Sequence, residues 1–187
     1  MKRFLDVFFS LLFLIILSPL LLIVSLIILL SDGRPVSFKQ ERIGYKGKRF
    51  FIYKFRTMQI GTREASTAEL TEASEVITKT GKFLRKSSID ELPQLINVLK
   101  GEMSFIGPRP LIPSEEIIHK MRMEYNVYSV RPGITGLAQV NGRDNISDEQ
   151  KALYDKEYVE GKSLKMDIKI LAMTVLNVVK GKDVNDK

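Results

Sequence analysis

The stretch VFFSLLFLIILSPLLLIVSLIILL, residues 7–30, contains no charged side chain and decides how the rest of the chain can fold. As one helix it would reach roughly 36 Å, which is enough to cross a hydrocarbon layer about 30 Å thick. A simple membrane-spanning helix is therefore the first interpretation. A cleaved signal peptide fits less well, because no small-residue cleavage pattern follows the apolar run.

Two features favour a second interpretation, in which the segment enters the membrane and returns to the same face. Pro19 follows Ser18 near the middle of the run, where its missing N–H removes a helix hydrogen bond and bends the axis. Basic residues flank both ends, so the positive-inside rule gives no direction of crossing. Residue physics alone leaves the spanning helix and the re-entrant hairpin both open. The flanking basic residues are Lys2, Arg3, Arg34, Lys39 and Arg42.

The composition restricts the chemistry. A length of 187 residues indicates one modest domain beside the membrane element. The absence of cysteine excludes disulfides, thiolate catalysis and cysteine-based zinc sites. His119 is the only histidine, and we interpret it as a polar surface residue rather than a catalyst. A net charge of +7 indicates an anionic partner, such as nucleic acid, a phosphorylated substrate or acidic lipid.

From residue 35 to residue 58 the pattern changes to that of strands. Polar and apolar residues alternate, and GYKG at 44–47 indicates a turn, so a small β-hairpin is the simplest interpretation. On the second strand Lys54 and Arg56 share one face, where they could meet a phosphate together. Basic residues interleaved with aromatic ones also occur on nucleic-acid-binding strands, and a solvated strand face is the plainest alternative.

The sequence SSIDELPQLINVLKG, residues 87–101, places two adjacent carboxylates at the start of a predicted helix. In one arrangement Ser88 caps this helix and Glu91 completes a capping box. In the other, Asp90 is the cap and Pro93 falls in the first turn, where its missing N–H costs nothing. Both arrangements put Asp90 and Glu91 at the positive end of the helix.

Arg109 follows this helix within GPRP, residues 107–110, and lies between two prolines. Its backbone therefore has little freedom, which suits bidentate recognition of a phosphate. The plain interpretation is that Asp90 is only a cap and Glu91 only a favourable first-turn charge. The functional interpretation is that N–H groups at the helix start hold Asp90 ionised and receive an anionic ligand. The restrained arginine favours the functional interpretation.

Three blocks of sequence carry a family resemblance. KSSIDELPQLINVLKGEMSFIGPRPL at 86–111 resembles the signature of bacterial sugar transferases, the monotopic phosphoglycosyl transferases that start glycan assembly on polyprenyl phosphate. YKFRTM at 53–58 and RPGITGLAQV at 131–140 are similar to two further blocks of that family, in the same order. The chain resembles the minimal catalytic unit, because larger members carry additional membrane helices and a further domain.

The residues and the resemblance together predict an α+β, mainly helical fold. It comprises a re-entrant membrane helix-hairpin broken at Ser18-Pro19, a small β-hairpin and amphipathic surface helices. Residues 1–34 form the predicted membrane anchor, and 35–187 a catalytic domain on the cytoplasmic face of the bacterial inner membrane. Ser147 opens one predicted helix with a capping box. A further amphipathic helix over 164–179 either packs in the core or lies on the membrane surface.

The resemblance implies a UDP-sugar as donor and a polyprenyl phosphate, such as undecaprenyl phosphate, as acceptor, with no nucleic acid. Asp90 is the expected nucleophile, which attacks the sugar-bearing phosphorus, expels UMP and becomes an aspartyl phosphosugar. Polyprenyl phosphate then attacks to give a polyprenyl diphosphate sugar. The rival interpretations are a membrane-tethered nucleic-acid-binding module and a non-catalytic membrane scaffold.

Magnesium is the expected cofactor, held by Asp90 and Glu91, because Mg²⁺ suits sites with one or two carboxylates plus substrate phosphates. Glu91 either binds the metal or assists the incoming phosphate as a base. Arg109 is expected to clamp the transferred phosphate. The glycine-rich loop at 131–136 is expected to allow close approach of a ligand to the backbone. Four further cations are candidate phosphate-binding residues, namely Lys54, Arg56, Arg85 and Arg131.

Overall fold

The computed structural model describes residues 1–62, 76–142 and 145–179, which form an α+β, mainly helical protein as predicted. The helices are α1 (Lys2–Ser31), α2 (Lys79–Lys86), α3 (Gln94–Lys100), α4 (Glu116–Glu124), α5 (Leu137–Val140), α6 (Asp148–Gly161) and α7 (Leu164–Val179). The strands are β1 (Ser37–Ile43), β2 (Arg49–Phe55), β3 (Ser104–Ile106) and β4 (Gly133–Thr135). The predicted bounds of α7 are confirmed, and α6 begins at Ser147 with both bonds of the predicted capping box.

The predicted β-hairpin is confirmed, because β1 and β2 pair antiparallel around a short turn, Tyr45–Gly47. Asn97 of α3 is fully buried and fixes the helix to the outer edge of β2. Its side-chain amide donates to the Phe51 carbonyl at 2.7 Å and accepts from the Tyr53 N–H at 3.1 Å. The Asn97 side chain thus forms the two hydrogen bonds that a neighbouring strand would form with the backbone of β2. The chain before α3 therefore lies against β2, the strand that carries Lys54.

The expected interruption at Ser18-Pro19 is not observed, since α1 is one helix with Pro19 inside it. The reason is local. Pro19 has no N–H for the Ile15 carbonyl four residues earlier, and the Ser18 hydroxyl donates to that carbonyl instead, at 2.8 Å. In a hydrocarbon layer without water, this bond removes the cost of an orphaned carbonyl. Among the described helices, α1 alone is long and apolar enough to cross a membrane.

Both ends of α1 contact the rest of the protein. At its start, Arg3 donates to the Val98 carbonyl at 2.5 Å and the Leu99 carbonyl at 2.9 Å, at the end of α3. Towards its other end, two aliphatic residues pack on β2 and α2 in one core cluster. That cluster comprises Val24, Ile28, Phe55 and Leu84. The buried residues of α1 all lie in its first or last third, and they are Asp6, Ser10, Val24 and Ile28.

The short parallel pair of β3 and β4 was not predicted. Glycines bring the two segments together, because a Cβ on Gly133 would lie 2.1 Å from the Gly107 nitrogen. A Cβ on Gly136 would likewise lie 2.1 Å from the Gly107 oxygen. The glycines at 131–136 were expected to let a ligand approach the backbone closely. In the structure it is the backbone of the segment carrying Arg109 that approaches them closely.

Candidate active site

Asp90 and Glu91 lie on a single 3-10 turn, Ile89–Glu91, and not in the first turn of α3. Pro93 accounts for this conformation, because it has no N–H to donate to the carbonyl of residue 89. That carbonyl accepts from the Leu92 N–H at 3.2 Å instead, which closes a tighter turn. The two carboxylates are thus carried by a rigid turn between α2 and α3.

Neither predicted helix cap forms, so the cap interpretation of Asp90 is wrong. Ser88 adopts the left-handed conformation, with φ 55°, and its side chain makes no capping hydrogen bond. The residue that precedes α3 is Pro93, which has no side-chain oxygen to offer. Asp90 itself is only 7% exposed. Its carboxylate is therefore buried at the turn between α2 and α3.

Lys54 and Arg109 both contact Glu91, as the sequence interpretation anticipated for one shared site. Glu91 Oε1 lies 2.6 Å from Lys54 Nζ and 3.7 Å from Arg109 Nη1. Burial lowers the pKa of Lys54, with Glu91 opposing and Arg109 adding to the lowering. The Arg109 side chain is 31% exposed, so the cluster is open to a ligand on that side. Two cations on one carboxylate oxygen suit a ligand that brings negative charge.

Arg109 is held through its backbone. Arg122 donates to the Arg109 carbonyl at 2.8 Å, and Arg42 donates to the Pro110 carbonyl at 3.1 Å. These two bonds hold the backbone of Arg109 and Pro110 in place. The Arg109 guanidinium therefore extends from a fixed stretch of chain. The expected rigidity of the proline-flanked arginine therefore has a tertiary cause as well as a local one.

Arg42 was not predicted as a site residue, because from the sequence it was interpreted only as one of the basic residues that flank the apolar segment. Its pKa is lowered to about 10, first by burial and then by Arg109, while Glu115 and Glu91 raise it. Its Nε is buried and has no hydrogen-bond partner among the described residues. A buried donor without an acceptor costs free energy, which a bound anion would recover. The hairpin register offered a signal, since Arg42 and Lys54 lie on the same face.

Arg56 is not part of this cluster, although it was predicted to share a phosphate with Lys54. It is buried and donates to the carbonyls of Asp32 at 2.5 Å and Gly33 at 3.0 Å. These carbonyls follow the end of α1, so Arg56 fastens the long apolar helix to the body. Lys54 and Arg56 share a strand face in the sequence pattern, but that pattern does not determine which acceptor each side chain bonds.

The other two predicted cations lie at opposite ends of α3. Arg85 is on α2, which packs against the 3-10 turn, and its Nε donates to Thr57 Oγ1 at 3.0 Å. Arg131 donates to the Gly101 carbonyl at 2.8 Å, beyond the last turn of α3. At the rise of a helix, Gly101 is roughly 16 Å from Asp90. Arg131 therefore does not join the carboxylates.

His119 was predicted to be a polar surface residue rather than a catalyst, and β2 was considered as a nucleic-acid-binding strand. Both ring nitrogens of His119 are engaged, one with the Ile112 carbonyl at 2.8 Å and one with the Tyr128 hydroxyl.

On β2, the Tyr53 ring lies against the ammonium groups of two lysines of this chain, Lys39 and Lys100. Phe50 and Phe55 belong to the core, and Phe51 is the one ring of β2 that is more than half exposed, so β2 presents no row of open rings on which bases could stack.

The sequence profile of the family described as bacterial sugar transferase matches residues 1–181. This chain belongs to the bacterial sugar transferase family. It is 43% identical over 179 residues to the "Uncharacterized sugar transferase EpsL" of Bacillus subtilis (strain 168), across 96% of this chain and 87% of that protein.

Two further members of the family have names that state a reaction. The chain is 40% identical to the "UDP-glucose:undecaprenyl-phosphate glucose-1-phosphate transferase" of Klebsiella pneumoniae, across 93% of this chain and 39% of that protein. It is also 40% identical to a protein of the same name from Caulobacter vibrioides, across 93% of this chain and 68% of that protein. The chain thus spans well under half the length of the Klebsiella relative.

The donor atoms of the cluster are compatible with magnesium. The described residues contain no group of three or more acidic, histidine or cysteine side chains that would form a complete protein site. Asp90 and Glu91 provide adjacent carboxylates, and Mg²⁺ is commonly bound by one or two carboxylates with water and substrate phosphates. These two residues would hold the metal only together with a phosphate ligand.

Proposed function

We propose that this sugar transferase moves a sugar-1-phosphate from a UDP-sugar to a polyprenyl phosphate such as undecaprenyl phosphate. The family match supports the transferase class, and the names of two relatives support the donor and acceptor types. The observation that carries the proposal is the cluster at Glu91, whose Oε1 contacts both Lys54 and Arg109 beside the buried Asp90. It offers a carboxylate nucleophile next to cations that suit a diphosphate.

Asp90 is the proposed nucleophile. One of its carboxylate oxygens attacks the sugar-bearing phosphorus, and the bond from that phosphorus to the bridging oxygen breaks. UMP leaves with the electron pair of that bond, and an aspartyl phosphosugar remains. An oxygen of the polyprenyl phosphate then attacks the same phosphorus, which restores the Asp90 carboxylate and forms a polyprenyl diphosphate sugar.

Positioning and charge neutralisation provide most of the catalysis in phosphoryl transfer. Arg109 contributes a restrained guanidinium that can hold two phosphate oxygens, and Lys54 contributes a buried point charge. Arg42 adds an N–H donor that has no acceptor within the described part of the chain. Mg²⁺, bound by Asp90 and Glu91 with substrate phosphates, would neutralise charge that develops on the transferred group.

We further propose that α1 is re-entrant and that residues 35–187 lie at the cytoplasmic face of the inner membrane. A helix that spans the bilayer separates its ends by the hydrocarbon thickness, and a body in water can touch only one of them. Here Arg3 contacts α3 and Ile28 packs on α2. The chain has no cysteine, so single cysteines at Lys2 and Lys48 can be labelled separately in membrane vesicles. Labelling from one side is expected, and labelling from opposite sides contradicts the re-entrant helix.

The reaction is tested by UMP release from a panel of UDP-sugars with magnesium, with and without undecaprenyl phosphate. The intact chain is expected to turn over repeatedly only when the acceptor is present. Asp90→Asn is expected to release no UMP, and the exposed Asp148→Asn on α6 is the matched control that keeps activity. Equal release by Asp90→Asn removes the proposed nucleophile, and no release from any donor removes the proposed donor class.

A further inference from the structure

A groove of about 710 Å³ separates the first half of α1 from α7. Its long walls are apolar. The wall residues are Leu5, Phe9 and Phe13 from α1, with Leu164, Ile168 and Leu171 from α7. None of the residues of the Asp90 cluster lines it, so the groove is separate from the proposed reaction centre.

One end of the groove is basic. Both helices begin there, and Lys2 at the start of α1 contacts Asp167 near the start of α7 at 2.6 Å. Arg3 and Arg131 are close together at this end, because both donate to carbonyls at the end of α3. Four cations and two carboxylates line the groove in total, which leaves an excess of positive charge. They are Lys2, Arg3, Arg131 and Lys162, with Asp6 and Asp167.

The apolar walls are only partly covered by protein. On α7, Leu164 is 52% exposed and Ile168 is 58% exposed. Across the groove, Phe9 and Phe13 are each 39% exposed, and this surface continues into the exposed middle of α1. Contiguous apolar surface of this kind indicates contact with an apolar partner. Because the partner meets the cations at one end, it is amphipathic and carries negative charge.

We propose that the groove binds one phospholipid of the surrounding membrane, with its phosphodiester at the basic end and an acyl chain along the apolar walls. The proposal rests on the membrane association proposed above and is independent of the transfer chemistry. The polyprenyl phosphate acceptor is not the occupant, because Arg131 bonds the carbonyl of Gly101, whose backbone lies roughly 16 Å from Asp90 at the rise of a helix. A phosphate held there cannot attack an intermediate on Asp90. The lipid is therefore retained and not consumed.

Native mass spectrometry of the full chain in detergent, titrated with dioctanoyl phosphatidylglycerol, tests the proposal. We expect one saturable lipid adduct. Lys162→Glu reverses a charge in the groove and is expected to weaken that adduct about tenfold. Lys165→Glu makes the same change on the exposed side of α7, outside the groove, and is expected to leave it unchanged. Both sites are exposed, so neither substitution is expected to unfold the chain.

A second pair of variants tests the apolar wall. Ile168→Asn lies in the groove and is expected to weaken the adduct, whereas Val175→Asn, equally exposed but outside the groove, is expected to leave it unchanged. Equal effects within either pair overturn the proposal, as does equal binding of dioctanoylglycerol, which lacks the phosphate. Sedimentation with phosphatidylglycerol vesicles reports membrane association separately. Sedimentation without a specific adduct overturns the groove proposal alone, and a chain that does not sediment overturns both.

Discussion

The pair of Arg122 and Asp155 and the cluster around Glu91 are both buried groups of acids and bases, yet they differ in what they leave open. Arg122 and Asp155 are 2% and 1% exposed, and two guanidinium N–H groups bond one carboxylate oxygen at 2.8 Å and 2.5 Å. One acid meets one base, and solvent is excluded. Around Glu91, two adjacent acids meet several cations, and one of these, Arg109, is partly exposed.

The difference separates a structural ion pair from a ligand site. A closed pair has no capacity for a further charge, and breaking it leaves an uncompensated buried ion. The cluster around Glu91 is open on the side of Arg109, where an anion from outside can bind. The two are connected, since Nη1 of Arg122 donates to the Arg109 carbonyl at 2.8 Å. The closed pair thus positions an arginine of the open cluster.

The largest expected effect distinguishes Asp90 from Asp155. Asp90→Asn is expected to lower turnover by about 10⁴-fold or more, as loss of a nucleophile does, with little change in the unfolding temperature. Thermal unfolding and UMP release measured on the same preparation provide the check. If Asp90→Asn unfolds the chain but the folded fraction keeps its turnover, Asp90 belongs with the structural pair.

Breaking the closed pair is expected to lower the stability of the fold directly. Arg122→Met leaves Asp155 buried without its partner and is expected to lower the free energy of unfolding by about 3–5 kcal/mol. Burial already raises the pKa of Asp155, and Arg122 opposes that shift. Urea unfolding followed by circular dichroism measures the loss. A change below about 1 kcal/mol would show that the pair does not stabilise the fold.

An intermediate effect is expected at Arg42. Arg42→Gln removes a charge-assisted donor from the open cluster and is expected to lower kcat/KM by about 10- to 100-fold. Arg49→Gln on the same hairpin is the matched control, because Arg49 is 65% exposed and pairs with Glu41 on the surface. Equal kcat/KM for the two variants would place Arg42 outside the ligand site.

The smallest effect is expected in α1. Ser18→Ala leaves the Ile15 carbonyl without a donor, so it is expected to lower stability in detergent by about 1 kcal/mol. Ser25→Ala is a matched control, since the Leu21 carbonyl that its hydroxyl contacts also has a backbone donor in the helix. Thermal unfolding compares the two variants. A larger loss at Ser25 would contradict the compensating role of Ser18.

Local patterns predicted the parts of this protein that local physics determines. The capping box at Ser147 and the bounds of α7 follow from side chains a few residues apart. The β3–β4 pair escaped prediction because strands of three residues show no alternation and their pairing joins distant segments. The carboxylates of Asp90 and Glu91 were found, but the cap assigned to them was wrong because Pro93 directs a 3-10 turn.

The basic residues predicted for the site divide into those that contact Glu91 and those that bond backbone carbonyls elsewhere. Lys54 and Arg109 were predicted to bind phosphate, and the structure places both in contact with Glu91. Arg56 and Arg131 have the same charge, yet backbone carbonyls at the ends of α1 and α3 hold them. Which acceptor a long basic side chain reaches depends on tertiary packing, and a single sequence does not contain that information.

Asp90 is proposed to carry the transferred group as a covalent adduct, which intact-protein mass spectrometry can detect. The chain is incubated with magnesium and an active UDP-sugar in the absence of polyprenyl phosphate. We expect a stoichiometric mass increase of one sugar phosphate, located on the peptide that contains Asp90 and removed when the acceptor is added. Acceptor-dependent UMP release from a chain that never carries this adduct would contradict it, because the sugar phosphate would then pass directly from donor to acceptor.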